Sequence, residues 1–407
     1  MLSFESEEAK DIFTEQLNNL QEYVCSSKTM DEQTYRAFYE NKERAMGFIQ
    51  HQPLGGDFDI YRSRMADTIQ PDEDITNPST FSYVPKNKCT STSPGLQRCN
   101  FSGQSIFYAS LSIRTNFQEI DKDCCGGKSV YLSKWHVSKN ANANMFRVIP
   151  PEGIDIKDDY KGLLKIDINR PAPPHLLSYL RKIGEIFMNN EEGRTKYLPS
   201  ALISNYIYKF NYTGTPIFQG QSPKYHGILY PSVKDKERCS LNAAFVPDFI
   251  DDYTNLNWII KGTVSEDLVS VRMQEIGFCH GNKIFWYKPT VTRESVKPTD
   301  YRYLDKSDRA CDLSKGRLFD KNHREVKNPF AVFFTDIDQW MEQKISEIPD
   351  DFGNFNDIVD EASFYIKNDK WCIARDLEGW TFETEKETID VVRVVYEFEY
   401  STTLEEI

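Results

Sequence analysis

Long apolar runs are missing from this 407-residue sequence. None comes near the roughly 18 apolar residues that a membrane helix needs, so no span is expected. The start, MLSFESEEAKDIF, is acidic and lacks a basic segment followed by an apolar one, so no secretory leader is expected. Histidine is scarce: six copies form neither HExxH nor a pair at helical spacing. The nine cysteines are odd in number and include no CxxC pair. Cys89, Cys99, Cys124 and Cys125 come closest to a cluster, but adjacent cysteines do not easily reach one tetrahedral ion. Structural thiols and no metal are expected. Reduced thiols in turn suggest a cytoplasmic protein, in which the sequons at Asn100-Phe-Ser and Asn211-Tyr-Thr are accidental matches. A GxSxG elbow is absent, and no GxGxxG follows a predicted strand. Gly126-Gly127-Lys128-Ser129 imitates the end of a P-loop, but Lys122 occupies the place of its first glycine.

A basic excess is also lacking. Lys and Arg number 49 against 62 Asp and Glu, a net charge of −13. The deficit is local: residues 330–407 hold 20 acidic and 6 basic side chains, and the rest of the chain is nearly neutral. Direct nucleic-acid binding is not expected of such a balance.

What is present is ordinary globular composition, 39% hydrophobic and 27% charged. Phe13, Leu17, Leu20 and Val24 recur at helical spacing and predict a helix over 3–24. A second helix is expected over 30–49, with Tyr35, Phe38, Tyr39 and Met46 to bury, before Pro53 and Gly55-Gly56 end the pattern. FDIYRSRM, SIFYAS, KSVYLSKWHV, NMFRVIP, HGILYPSV and NAAFVPDF read as strands, and 112–120, 175–190 and 197–210 as helices. A hairpin is expected around His280-Gly281-Asn282-Lys283. After it, FAVFFTDIDQWMEQKISEI reads as strand then helix, and KWCIARDLEGWTFE and VVRVVYEFEY as strands. Helices and strands alternate without a strict βαβ repeat, so the fold class is α+β. Three segments are expected: a helical pair at 1–56, a catalytic domain at 57–262, and a further α+β region at 263–407, acidic from about 330.

One constellation stands out. Tyr61-Arg62-Ser63-Arg64 lies on a predicted strand. Arg98-Cys99-Asn100-Phe101-Ser102-Gly103 follows a proline-rich loop. Tyr108 lies in a short apolar strand, and Glu119 lies eleven residues later on a predicted helix. Tyr230-Pro231-Ser232 and Asn242-Ala243-Ala244-Phe245 come much later. Arginine forks suit phosphate, and glycine permits close backbone approach. A tyrosine packs on a flat heterocycle, and a lone carboxylate stabilises a cationic sugar. Together they suit a nucleotide, although each residue also has a plain structural reading.

The order and spacing of these residues resemble the RES-domain family, named for an arginine, a glutamate and a serine. The likeness covers about 57–250. It places Arg62, Arg98, Asn100, Gly103, Tyr108, Glu119, Ser232, Asn242 and Phe245 in the family's order. Cys99 stands where an aromatic is usual, and 35 residues separate Arg62 from Arg98, a long connection. Arg64 competes with Arg62 as the first arginine.

The resemblance implies an ADP-ribosyltransferase-like fold and an enzyme that consumes NAD+ as its substrate, without a metal. It also implies a toxin of a toxin–antitoxin or phage-defence system, with an antitoxin or regulatory protein as partner. Arg62 and Arg98 would hold the pyrophosphate, alongside Asn100 and Gly103. Tyr108 would pack on nicotinamide or its ribose. Glu119 would offset the developing positive charge, and Ser232 and Asn242 would orient the ribose or amide. Water or phosphate is the expected acceptor. The alternatives are protein ADP-ribosylation and a catalytically inactive module that binds a nucleotide or partner. Convergence of Arg62 and Glu119 on one pocket separates enzyme from module.

Overall fold

The structure is a computed structural model that describes residues 6–41, 51–120, 125–151, 174–189, 195–209, 225–234, 240–266, 268 and 270–296, and, beyond these, Arg324 and strand segments between 303 and 398. The chain is α+β and divides into two compact units. One comprises 1–63, 79–124 and 134–256, the other 64–78, 125–133 and 257–407. The N-terminal helical pair belongs to the first unit, and the second joins residues 257–407 to two shorter stretches from within the segment expected at 57–262.

In the first unit, Ser6 caps helix α1 (Glu7–Ser27) by accepting from the Ala9 N–H at 3.2 Å. Helix α2 (Glu32–Asn41) follows. The Asp31 carboxylate accepts from the Thr34 N–H at 2.8 Å, and that bond holds its pKa below the usual carboxylate value. Strands β1 (His51–Gly55), β2 (Phe58–Met65), β3 (Phe107–Ser110), β5 (Asn142–Arg147), β6 (Gly227–Pro231) and β7 (Leu241–Phe245) lie in the order β1-β5-β6-β7-β3-β2. β4 (Ser129–Val137) has residues in both units, and its Lys134 and His136 bond Asp59 of β2. β5 and β6 are parallel, whereas β1–β5, β2–β3, β3–β7 and β6–β7 are antiparallel, so the sheet is mixed.

Register fixes which side chains share a face. Tyr108 lies opposite Ala244, which lies opposite Ile228; Ser110 lies opposite Asn242, which lies opposite Tyr230. Alternation sends Phe107, Ala109, Ala243 and Phe245 to the other side. The Tyr108–Ala244–Ile228 face is covered by α1, α4 (Pro174–Phe187) and α5 (Leu198–Lys209) in one apolar cluster that includes Phe13, Tyr35, Tyr179, Ile183, Leu202 and Ile203. Gly184 lets α4 approach, since a Cβ there would stand 2.0 Å from the Ile149 carbonyl oxygen. The opposite face carries Phe107 edge-on to Trp135 at 5.3 Å and Phe245 stacked on Phe249 at 5.0 Å. Both faces being covered, β6 and β7 are buried at every position.

Two expectations need correction. NAAFVPDF is not one strand. β7 ends at Phe245, and Pro247 opens helix α6 (Pro247–Tyr253) at a position where proline's fixed φ and missing N–H suit a first turn. In FAVFFTDIDQWMEQKISEI, expected as strand then helix, Val332–Phe334 form a strand, but in the later part Glu342–Lys344 form another strand that pairs with Ser270–Arg272; the remainder lies outside the described residues. Edge pairing outweighs helix propensity over so short a stretch.

The second unit is built on long antiparallel strands. β8 (Thr254–Val264, its first residues in the first unit), β9 (Ser270–His280) and β10 (Lys283–Val296) run in series, and β10 pairs with β11 (Ile389–Phe398). Gly281, with φ +59°, makes the expected hairpin turn. The GGKS stretch is a turn into β4, its Gly127 N–H donating to the Val264 carbonyl at 2.8 Å. No described helix is long and apolar enough to cross a membrane. The described cysteines, Cys25, Cys89, Cys99, Cys125 and Cys279, are in no disulfide.

Arg147, at the end of β5, is a cost to the fold. Its Nε is sealed from solvent without a hydrogen-bond partner, and burial holds its pKa down to about 10. Replacing a poorly compensated buried charge by an apolar side chain is neutral to stabilising. R147M is therefore expected to raise stability by about 1 kcal/mol, read as a higher urea midpoint at an unchanged slope. A lower midpoint would show that hydration of the exposed guanidinium edge compensates the buried part.

Candidate active site

The site grows from the β3–α3 connection. After Ser110 the chain turns into helix α3 (Ile113–Ile120), whose first turn is fixed by the Ser112 hydroxyl accepting from the Thr115 N–H at 3.1 Å. Asn116 anchors the helix to β2: its amide donates to the Tyr61 carbonyl at 2.8 Å and accepts from the Ser63 hydroxyl. One turn further on, Glu119 is delivered over the ends of β6 and β7.

There Glu119 Oε1 accepts from Ser232 Oγ at 2.6 Å and from Asn242 Nδ2 at 2.9 Å. Asn242 Oδ1 accepts from Ser110 Oγ at 2.6 Å, which sets the amide so that its N–H side faces the carboxylate. Ser110, Ser232 and Asn242 are all buried, whereas Glu119 is half-buried. Both bonds fall on one oxygen. Oε2 has no hydrogen bond from the described residues. The arrangement holds a carboxylate rigidly by one oxygen and leaves the other to meet a ligand.

Tyr230 borders this group, opposite Asn242 in the sheet, with its ring 6.0 Å from that of Phe187. Burial, reinforced by the charges of Cys99 and Glu119, pushes its phenol well above the ordinary value, so it stays a neutral donor. Arg98 acts on the same phenol in the opposite sense. Arg98 itself is 8% exposed; its guanidinium donates to the Phe187 carbonyl and lies 5.0 Å from the centroid of Tyr197.

Other expected site residues have structural duties. The Tyr108 hydroxyl donates to Asn100 Oδ1 at 2.7 Å and accepts from the Cys99 N–H at 2.8 Å. Asn100, 1% exposed, spends its amide hydrogens on the Gly95 and Phe101 carbonyls. Gly103 has φ +77°, and a Cβ there would stand 2.4 Å from the Thr90 carbonyl oxygen, so only glycine fits the turn. Cys99 is wholly buried, and burial pushes its thiol up to about 12. The same loop is clamped by α2: Glu32 accepts from the Ser102 N–H and hydroxyl, both at 2.6 Å, and Arg36 donates to the Ser102 carbonyl at 2.9 Å.

Arg62 departs from the expected convergence with Glu119. Its guanidinium lies over Phe107, 5.3 Å from the ring centroid, on the other side of β3 from Ser110. It also donates to the Tyr108 carbonyl at 2.8 Å. β2 and β3 share the pair Tyr61–Ser110, and the Arg62 side chain reaches across to β3 beyond it. Arg64 is drawn away by Glu73, which accepts two bonds from it at 2.9 and 3.0 Å. Tyr230 carries a signal only as part of the Tyr-Pro-Ser turn, and Tyr197 and Ser110 carry none for the site, because a tyrosine before a helix or a serine ending a buried strand has no sequence mark of its own.

No protein-family model, no curated protein and no solved structure matches this chain.

Proposed function

We propose that this protein is an NAD+-consuming enzyme that cleaves the nicotinamide–ribose bond. The observation that carries the reading is Glu119, fixed through Oε1 by Ser232 and Asn242 with Oε2 open. The C–N bond to nicotinamide breaks with oxocarbenium character at the ribose, as in glycoside cleavage. The bonding electrons leave with nicotinamide, which departs neutral. A carboxylate held against that ribose bonds a hydroxyl and offsets the growing positive charge without reorganising. Water then adds to the ribose carbon and releases a proton, giving ADP-ribose; phosphate in its place gives the phosphorylated sugar. Ser232 and Asn242 act as orienters of Glu119, a change from the substrate-binding roles that the resemblance implies. By the same resemblance the enzyme is a RES-type toxin of a toxin–antitoxin or phage-defence system, restrained by a partner protein.

A second reading, a module that binds a nucleotide without cleaving it, is favoured by the position of Arg62 across β3 from Glu119. The deciding experiment incubates the full-length protein with NAD+, with and without phosphate, and follows nicotinamide release and product mass. Release is expected, and the mass of the product names the acceptor. Binding of NAD+ without release under either condition would establish the module instead.

A further inference from the structure

The hydrogen bonds at Glu119 run one step deeper than the residues that touch it. Glu119 Oε1 accepts from Asn242 Nδ2 at 2.9 Å, and Asn242 Oδ1 accepts from Ser110 Oγ at 2.6 Å. Ser110 is 1% and Asn242 3% exposed. Among the described residues, Ser110 is the only donor to Asn242 Oδ1. The direction of this chain is dictated at its far end. An ionised carboxylate only accepts, so the amide must present its N–H to Glu119 and its oxygen to Ser110. Without the serine hydroxyl, a buried carbonyl oxygen has no donor, a state that folded proteins avoid. The amide then gains by turning that oxygen toward water, and its N–H leaves Glu119.

The other bond to Oε1 arrives separately. Ser232 Oγ accepts from the Lys234 N–H at 3.2 Å, which leaves the serine hydrogen for Glu119 at 2.6 Å. Two donors on separate chains fix the plane of a carboxylate, whereas one alone lets it swivel. The sheet does not depend on the Ser110 hydroxyl. Backbone pairing holds Ser110 opposite Asn242 and continues into the Leu111 N–H, which donates to the Leu241 carbonyl at 3.1 Å. We infer that Ser110, acting on Glu119 through Asn242, is a positioning residue for NAD+ cleavage, a role that rests on the proposed reaction. The orienting chain itself does not rest on it.

A double-mutant cycle on the full-length chain tests this, with S110A, N242A and S110A/N242A assayed for nicotinamide release from NAD+. S110A is expected to lower kcat about tenfold, as for the loss of one bond to a charged group, with KM changed by less than about threefold. The double variant should match N242A, because Ser110 then has nothing left to orient. A packing role would lower the rate again in the N242A background. Such additive losses, a wild-type rate in S110A, or an S110A chain that does not fold all overturn the role. A second measurement needs no turnover. In protein isotope-labelled at asparagine, the Asn242 side-chain amide is identified by its absence from N242A. Its hydrogens should exchange with solvent at least about tenfold faster in S110A than in wild type; unchanged exchange overturns the orienting chain. The two proposals fail separately. Faster amide exchange in S110A, with no nicotinamide release by the wild-type chain, sinks the reaction and leaves the orienting chain. Nicotinamide release with additive losses sinks the role of Ser110 alone.

Discussion

E119Q is expected to lower kcat for nicotinamide release by about 10²–10⁴-fold, with KM for NAD+ changed by less than about threefold. The amide occupies the same space, and its oxygen still accepts from Ser232 and Asn242, so the fold and the pocket survive. What disappears is the negative charge that, in the proposed reaction, faces the ribose and is needed most when the C–N bond is half broken. An interaction made chiefly in the transition state shows in kcat and in kcat/KM alike. Each tenfold corresponds to about 1.4 kcal/mol of barrier. S232A is the graded companion: it leaves the charge and removes one orienting bond, so its loss should be smaller than that of E119Q. If E119Q releases nicotinamide at the wild-type rate, Glu119 is not the catalytic carboxylate and the reaction scheme falls.

The second large effect is on stability. Phe13 is fully buried in α1 and packs against His175 at 5.4 Å and Tyr179 at 5.7 Å on α4. F13A should cost about 3–5 kcal/mol, by analogy with other buried phenylalanine truncations. A typical domain has only about 5–15 kcal/mol to lose. The urea midpoint should fall accordingly. Because α1 and α2 pack together through Tyr23 and Tyr35, and α2 clamps Ser102, the loop carrying Arg98 should become more susceptible to limited proteolysis. A loss below about 1 kcal/mol would show that α1 is dispensable to the core.

The helical pair was legible because its apolar residues keep a 3.6 period, which needs no knowledge of partners. Strands β2 to β7 were legible from short apolar runs, whereas α6 was hidden inside such a run until Pro247 took its place in a first turn. Of the site, Glu119, Ser232 and Asn242 were found together. The division between Arg62 and Arg98 was not. Alternation says that Arg62 and Ser63 point to opposite faces, but which face meets Glu119 depends on the β2–β3 register and on where α3 lands. Tyr108 and Asn100 illustrate a different limit. Their residue types suit ligand contact, yet their polar atoms are consumed in shaping the 98–104 turn.

The bonds that fix Glu119 join residues 113 and 123 positions apart in the chain. During synthesis at roughly 5–20 residues per second, the carboxylate emerges some 6–25 s before the asparagine that orients it. A partly made chain therefore has the acid but no site. Under the proposed NAD+ reaction that delay ties activity to completion: chains ending before β7 carry the carboxylate without the asparagine that orients it.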